Sequence, residues 1–290
     1  MGSEMCIRDS MNGVLWVAAT PIGNAQDASL RLLSVLEKAD LIAAEDTRKA
    51  KFLMNALGIS TQAKVISFFA ANEEARVREM LDAVSNGSNV LMITDAGMPG
   101  VSDPGYSLVS GAIARGITPV VLPGPSAVTT ALAQSGLPME RFIFDGFLAR
   151  TDGARREYFK GIAHEERTVV LFESPRRLAS SLAVAGELLG TDRRGAICRE
   201  MTKTYEETIH GTIAELAQWA STHEVLGEIT IVIAPAPAAV RPTNEDILAQ
   251  AQRLISLGMG KREATAELAQ ELGIAKRDIY DLLIATSKAD

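Results

Sequence analysis

From Val14 onward the chain alternates short β-branched runs with amphipathic segments that stop at glycine. This is the pattern of strand–helix–strand units built around a mainly parallel sheet. Five strands fit the first half, at residues 15–18, 41–44, 64–67, 89–94 and 118–122. Helices near 29–38, 48–57, 73–85 and 106–115 separate them, and three of these stop at Gly58, Gly87 and Gly116, where a left-handed C-cap suits glycine. A helix at 126–134 starts behind Pro125 and ends at Gly136. A second series follows, with strands near 141–145, 168–172, 195–199, 205–210 and 228–233 and helices near 154–162, 177–189 and 213–220. Two successive strands there lack an intervening helix, which predicts a mixed sheet.

These patterns set the expected organisation. An α/β domain spans 11–124 and a second spans 125–236. The proline-rich run from Ala234 to Pro242 suits neither sheet nor helix and reads as a linker. A helical appendage occupies 243–290, where apolar residues recur at helical spacing around Gly273. It has no dense basic face, which favours a small capping bundle over a DNA-binding helix–turn–helix. With 47% hydrophobic and 22% charged residues, 290 residues can bury the cores that two such domains require. Residues 1–10 carry charges of both signs without a signal peptide's apolar core and read as a non-native leader, with Met11 the start. No apolar stretch approaches the roughly 20 residues that span a bilayer, so no membrane association is expected.

Cys6 and Cys198 offer no disulfide framework, which fits a reducing cytoplasm. His164, His210 and His223 have no close His or Cys partner, so no metal is expected. The net charge of −7 excludes a broadly basic nucleic-acid binder. The charge is uneven, however: residues 141–203 hold 12 Lys and Arg against 9 Asp and Glu, so an excess of +3 there leaves −10 elsewhere.

Three segments carry the chemistry, each directly after a strand. Ala19-Thr-Pro-Ile-Gly-Asn24 is a turn in which Pro21 and Gly23 leave little side chain in a ligand's way, with Asp27 a candidate N-cap for the next helix. Thr94-Asp-Ala-Gly-Met-Pro-Gly-Val-Ser-Asp-Pro-Gly105 holds more glycine and proline around Asp95 and Asp103 than one tight turn needs. In open parallel sheets ligands bind outside the carboxyl ends of the strands, where such a loop exposes backbone donors and acceptors. Pro123-Gly-Pro-Ser-Ala127 opens a helix whose free N–H groups attract an anion or carboxylate, unless Ser126 simply caps it.

Taken with Ala44-Glu-Asp-Thr-Arg48, these segments resemble the tetrapyrrole-methylase superfamily, and most of all its branch acting on cytidine ribose 2′-hydroxyls of small-subunit ribosomal RNA. Phe144-Asp-Gly-Phe-Leu148, Phe172-Glu-Ser-Pro-Arg176, Arg199-Glu-Met-Thr-Lys203 and Gly227-Glu228 follow in that branch's order, so the resemblance runs from about Leu15 to Ala234. No Gly-x-Gly-x-x-Gly is present, so the Rossmann methyltransferase fingerprint plays no part. The resemblance implies two α/β/α domains with an S-adenosylmethionine cleft between them, plus the helical appendage. Facing the cofactor it implies Pro21, Gly23, Asp95, Ala96, Gly97, Val101, Ser102, Asp103, Pro104, Gly105, Pro123, Gly124, Ser126, Ala127, Glu228 and Ile229. It also implies a homodimer and, as substrate, small-subunit ribosomal RNA or the assembled small subunit.

Methyl transfer to a ribose hydroxyl needs in-line placement and a base. Glu45, Asp46 and Arg48 of the first domain and Glu200 and Lys203 of the second are the candidates. Asp46 or Glu45 would accept the proton; Arg48, Arg176 and Lys203 would hold phosphates, or a desolvated Lys203 of depressed pKa would act as base. The pairs Arg155-Arg156, Arg176-Arg177 and Arg193-Arg194 suit an RNA-facing surface. The branch usually carries histidines just after the third strand, whereas this chain has Ser67-Phe-Phe-Ala-Ala-Asn-Glu73. The other segments are intact, which favours chemistry that does without those imidazoles. A C-methyltransferase of tetrapyrrole precursors would share the cleft but not the Glu45–Arg48 and Arg199–Lys203 segments. A non-catalytic nucleotide- or RNA-binding protein on the same fold is the third reading.

Overall fold

A computed structural model describes residues 13–69, 71–237 and 243–286. The leader reading at 1–10 and the end of the proline-rich linker lie outside the described residues. The first sheet contains β1 (Leu15–Ala18), β2 (Leu41–Ala44), β3 (Lys64–Ser67), β4 (Val90–Ile93) and β5 (Val120–Leu122), in the order β3-β2-β4-β1-β5. Every pairing in it is parallel. β2 and β4 are buried along their whole length, as strands covered by helices on both faces must be. One core layer joins Leu15, Met92 and Phe68 to α3 (Glu73–Ser85) and α4 (Tyr106–Ala114). The opposite layer joins Ala18, Ile42 and Leu91 to α1 (Leu30–Lys38) and α2 (Thr47–Ala56). Asp27 does not cap α1. Ser29 does, through Leu32 N, while Asn24 caps a short 3-10 turn over Ala25–Asp27.

α5 (Ala127–Ser135) leads to β6 (Phe142–Phe147), α6 (Asp152–Gly161), β7 (Thr168–Glu173), α7 (Leu178–Leu189), β8 (Arg194–Arg199), β9 (Glu207–Thr212), α8 (Ile213–Thr222) and β10 (Ile229–Ile233). The second sheet has the order β6-β7-β10-β8-β9. It is mixed, as the missing helix implied: β6 and β7 are parallel and the other pairs antiparallel. α5 packs on this sheet, where Val128, Ala131 and Leu132 meet Val170, Ala196, Cys198 and Val232. Ile22, from the loop after β1, inserts into the same cluster, so the first lobe is keyed into the core of the second. Cys198 is free and buried there, and burial pushes its thiol up to about 11.

The C-terminal helices form a compact unit of their own, in which α9 (Asn244–Ser256), α10 (Lys261–Leu272) and α11 (Lys276–Thr286) bury Ile247, Ala251, Leu268, Ile279 and Leu283. A capping box at Thr243 starts α9, and Gly273 ends α10 in the left-handed conformation. No helix among the described residues is long and apolar enough to cross a membrane.

Candidate functional site

β4, β1 and β5 are neighbours in an all-parallel sheet, so the loops leaving their carboxyl ends emerge side by side. Backbone hydrogen bonds tie these loops together. Thr20 and Gly97 exchange bonds of 2.9 and 3.0 Å, and Ala19 N donates to Leu122 O at 3.2 Å. The Thr20 hydroxyl, fully buried, donates to Thr94 O. Glycine is needed where the loops crowd: a Cβ on Gly124 would lie 3.0 Å from the Ala19 Cβ, and Gly97 and Gly105 have φ of +77° and +145°.

Between these loops and the second sheet lies a cavity of about 300 Å³. Of the sequence-predicted cofactor residues, Ala96, Gly97, Val101, Ser102, Asp103, Ser126, Ala127, Glu228 and Ile229 line it. Pro21, Gly23, Asp95, Pro104, Gly105, Pro123 and Gly124 do not; they frame the loops behind it. Ser126 sits at the N-cap of α5 but makes no side-chain cap bond, so the helix start is left open toward the cavity. Beyond Glu228 and Ile229 the second wall was missed from sequence: Phe147, Phe172, Glu173, Ser174, Pro175, Met201 and Thr230 line the cavity as well, along with Ile22, Met98 and Val128 on the first side. All of these but Val128 and Thr230 fall in segments that carried the resemblance, yet Phe147, Phe172 and Met201 look by themselves like ordinary core.

Carboxylates gather at one side. Asp103 is pushed up to about 6 by burial and then by the charges of Glu45, Asp95 and Glu228. Glu45, directly after β2, does not line the cavity but stands close enough to act on Asp103, and burial and the Asp95 charge raise its own pKa. Lys49 answers them in part, with its ammonium 2.8 Å from Asp95. Asp46 behaves oppositely: it caps α2 through Arg48 N at 2.8 Å, and the Arg48 guanidinium and amide hold its carboxyl well below the usual range. Of the two candidate bases, Glu45 is therefore the one with raised proton affinity.

On the facing side the turn from Arg199 to Lys203 carries two of the three non-glycine residues with positive φ among the described residues, Glu200 (+50°) and Thr202 (+64°). The third, Ser102 (+65°), lies in the cavity wall. Such strain gathers where surrounding structure over-determines a site. The turn closes on the first lobe: Asn24 N donates to Thr202 Oγ1 at 3.0 Å, and a Cβ on Gly23 would lie 2.5 Å from Lys203 Cγ. Lys203 Nζ bonds Glu200 at 2.8 Å and Glu228 at 3.0 Å. Burial works to lower the lysine's pKa, but these two carboxylates outweigh it and raise it, so Lys203 is a protonated anchor and not a base of depressed pKa.

The basic pairs need correction as well. Arg155 is buried, with its guanidinium on Asp152. Arg156 is shared between Asp152 and Glu187. Arg177 pairs with the buried Glu173. Arg193 is buried and donates to the carbonyls of Ala234, Ala163 and Glu165. Arg155, Arg156 and Arg177 are thus occupied within the fold, whereas Arg176 is exposed; Arg48 is exposed as well, but its guanidinium is engaged by Asp46. Where histidines were expected, Phe68 fills the first core, the Asn72 amide bonds Ser67 O, and Glu73 accepts from Gly105 N and the Ser107 hydroxyl, fastening the end of the Asp95 loop. Among the described residues no group of three or more His, Cys, Asp or Glu could hold a metal ion.

Comparison with known proteins gives this geometry a family. The model of the Tetrapyrrole (Corrin/Porphyrin) Methylases matches residues 14–217. A Mycobacterium bovis protein named Ribosomal RNA small subunit methyltransferase I is 46% identical over 278 residues, 96% of each chain. One of the same name from Halalkalibacterium halodurans is 40% identical over 93% of this chain and 94% of its own. Among solved structures, uroporphyrin-III C-methyltransferase from Thermus thermophilus, complexed with S-adenosyl homocysteine, superposes with a TM-score of 0.53 at 18% identity, over 77% of this chain and 97% of its own, a likeness of fold. By family model and by near-full-length identity, the chain belongs to the tetrapyrrole (corrin/porphyrin) methylases.

Proposed function

We propose that this chain is an S-adenosylmethionine-dependent methyltransferase that modifies the ribose 2′-hydroxyl of a cytidine in small-subunit ribosomal RNA. The observation that carries it is identity of 46% across 96% of the chain to a protein named for methylating that RNA. A C-methyltransferase of tetrapyrrole precursors is disfavoured, because the solved structures with such names match at only 16–18% identity.

The cavity suits the cofactor's chemistry. S-adenosylmethionine supplies a methyl group on a sulfonium, already a good leaving group. Apolar walls from Ile22, Val101, Ala127, Val128 and Ile229 would receive its uncharged parts, and Asp103 and Glu228 would face its positive charges. The volume stands at the lower end of the roughly 300–1,000 Å³ common for ligand pockets. The protein's own work is positioning, exclusion of water and removal of one proton. Glu45, of raised pKa beside the cavity, is the group we assign to that proton, with Arg176 left exposed to meet phosphates.

We also infer a homodimer acting in the cytoplasm. Supporting the dimer, Tyr106 and Ile113 expose apolar surface on one face of α4, and edge strand β5 exposes Val120 and Val121. Light scattering would read a dimer mass. The function is tested by incubating the protein with labelled S-adenosylmethionine and unmodified small ribosomal subunits. Label should appear in RNA, at a ribose that then resists alkaline cleavage. Label in a tetrapyrrole precursor instead would overturn the assignment.

A further inference from the structure

One aromatic ring stands at the cavity with no partner to account for its exposure. Phe147 lines the cavity yet remains 62% exposed. Local structure is arranged to put it there. Along β6 and β7, Phe144 pairs with Val170 and Phe147 with Phe172, so three steps on one strand match two on the other. This is a β-bulge, a device that re-aims a side chain next to active sites. Gly146 supplies the required φ of +71°, and a Cβ there would lie 3.3 Å from Ser102 Oγ in the Asp95–Gly105 loop. Because of the extra residue, Phe144 and Phe147 both meet Phe172 edge-on, at 4.8 and 5.3 Å between ring centres. Phe147 is braced but not covered.

The charges beside it limit what can approach. Asp103 and Glu228 line the same cavity, and Glu45 and Asp95 stand close enough to act on Asp103. A phosphate drawn into this group would meet carboxylates on several sides, with Lys49 already paired to Asp95. The part of an RNA chain that can come up against this side is therefore the uncharged part, sugar and base, while the phosphates stay away. Single-stranded bases of RNA loops and ends can be splayed out of their strand and held by stacking on aromatic rings.

We propose that Phe147 is the stacking platform for the base of the target nucleotide, which turns out of its RNA strand and lies on the exposed face of the ring, beside the cofactor cavity. The inference rests on the RNA-methylating reading above and adds to it a substrate-binding residue on the second lobe. The test compares the wild type with Phe147→Ala, Phe147→Leu and Phe147→Trp. Methyl transfer to unmodified small subunits is measured beside the affinity for S-adenosylhomocysteine and the oligomeric mass. Base stacking lost from such a site lowers kcat/KM for RNA about 10- to 100-fold in the alanine and leucine variants. Tryptophan restores it to within about 3-fold, because it keeps a π face. S-adenosylhomocysteine affinity and mass stay as in the wild type. Phe147→Ala as active as the wild type would overturn the platform. So would a parallel loss of S-adenosylhomocysteine affinity, which would make the ring a cofactor wall, or a fall to half the mass, which would make it a dimer contact. A wild type that binds S-adenosylhomocysteine and labels no RNA would break the methylation reading itself, and the platform with it.

Discussion

On the second-sheet wall of the cavity the Glu173 carboxylate is fully buried and accepts from the Ser174 amide at 2.6 Å, from Arg177 at 2.5 Å and from the Ser181 hydroxyl at 2.5 Å. Nearby, burial works to raise Glu200, but the Lys203 ammonium and the Glu228 amide hold it below its ordinary value. Across the cavity, Lys49 pairs with Asp95 and only its charge reaches Glu45 and Asp103, and both of these are raised. Compensated acids on one side hold the fold together. Uncompensated acids on the other cost stability as the protein stands, and they make sense where a ligand completes them.

Removing an acid from each wall should therefore produce opposite signatures. The largest effect is expected at Glu45→Gln, with a fall in kcat of about 10²- to 10⁴-fold, the range of a lost general base. Its stability should hold or improve, since a half-buried charge is removed. Asp46→Asn, at the neighbouring position, should weaken the α2 cap but leave kcat within 10-fold, because Arg48 already holds that carboxyl ionised. Single-turnover methyl transfer beside thermal melting reads both. Equal kcat losses in the two variants would mean the base has been misassigned.

Glu173→Ala is the counterpart on the compensated wall. It strands the buried Ser181 hydroxyl and the partly buried Arg177 guanidinium, which should cost about 3 kcal/mol of unfolding free energy. A shifted urea midpoint with unchanged slope would show it. Loss of kcat at full stability would instead move Glu173 among the uncompensated acids.

Asp103→Asn reverses the sign. The folded protein holds the Asp103 proton up to about pH 6, whereas the unfolded chain releases it near the ordinary aspartate value of 3.8. Between those values the folded state binds more protons, so stability falls as pH rises from about 4 to about 6. Asparagine abolishes that fall: the variant should melt higher than the wild type at pH 7.5 and equally at pH 4. Wild-type affinity for S-adenosylmethionine should tighten as pH rises through about 6, as the carboxylate forms opposite a cation, and the variant should lose this slope. Melting at pH 4 and 7.5 and titration calorimetry at pH 5 and 7.5 measure the two effects, and S-adenosylhomocysteine, without the sulfonium charge, should respond less.

The same contrast explains what could be read from residue order. The first wall is local: glycines and prolines crowd behind strand ends, and Ala96, Gly97, Ser102, Asp103, Ser126 and Ala127 could be named from that crowding and from family likeness. The second wall is long-range. Phe172, Met201 and Thr230 are ordinary strand and turn residues until β7, β10 and the Arg199–Lys203 turn meet under the first lobe. Doubled arginines read as a basic face because only their charge was counted. Their neutralising partners stand at helical spacing in the sequence, Asp152 three and four residues before Arg155 and Arg156, and Glu173 four before Arg177.

The smallest effect concerns the turn that brings the two walls together. Thr202 accepts a hydrogen bond from Asn24 N across the lobes while its backbone sits at φ +64°, a costly setting for a β-branched residue. Thr202→Ala removes the hydroxyl but keeps most of the backbone strain, and should lose about 1 kcal/mol. Thr202→Gly removes the same hydroxyl and relieves a left-handed conformation worth about 1–2 kcal/mol, so it should melt close to the wild type. Alanine and glycine variants that melt alike would show that no strain is held at Thr202. A glycine variant that keeps its melting point but loses rate would show that the strain serves to fix the turn's single conformation, and with it the Lys203 contact that steadies Glu228 at the cavity.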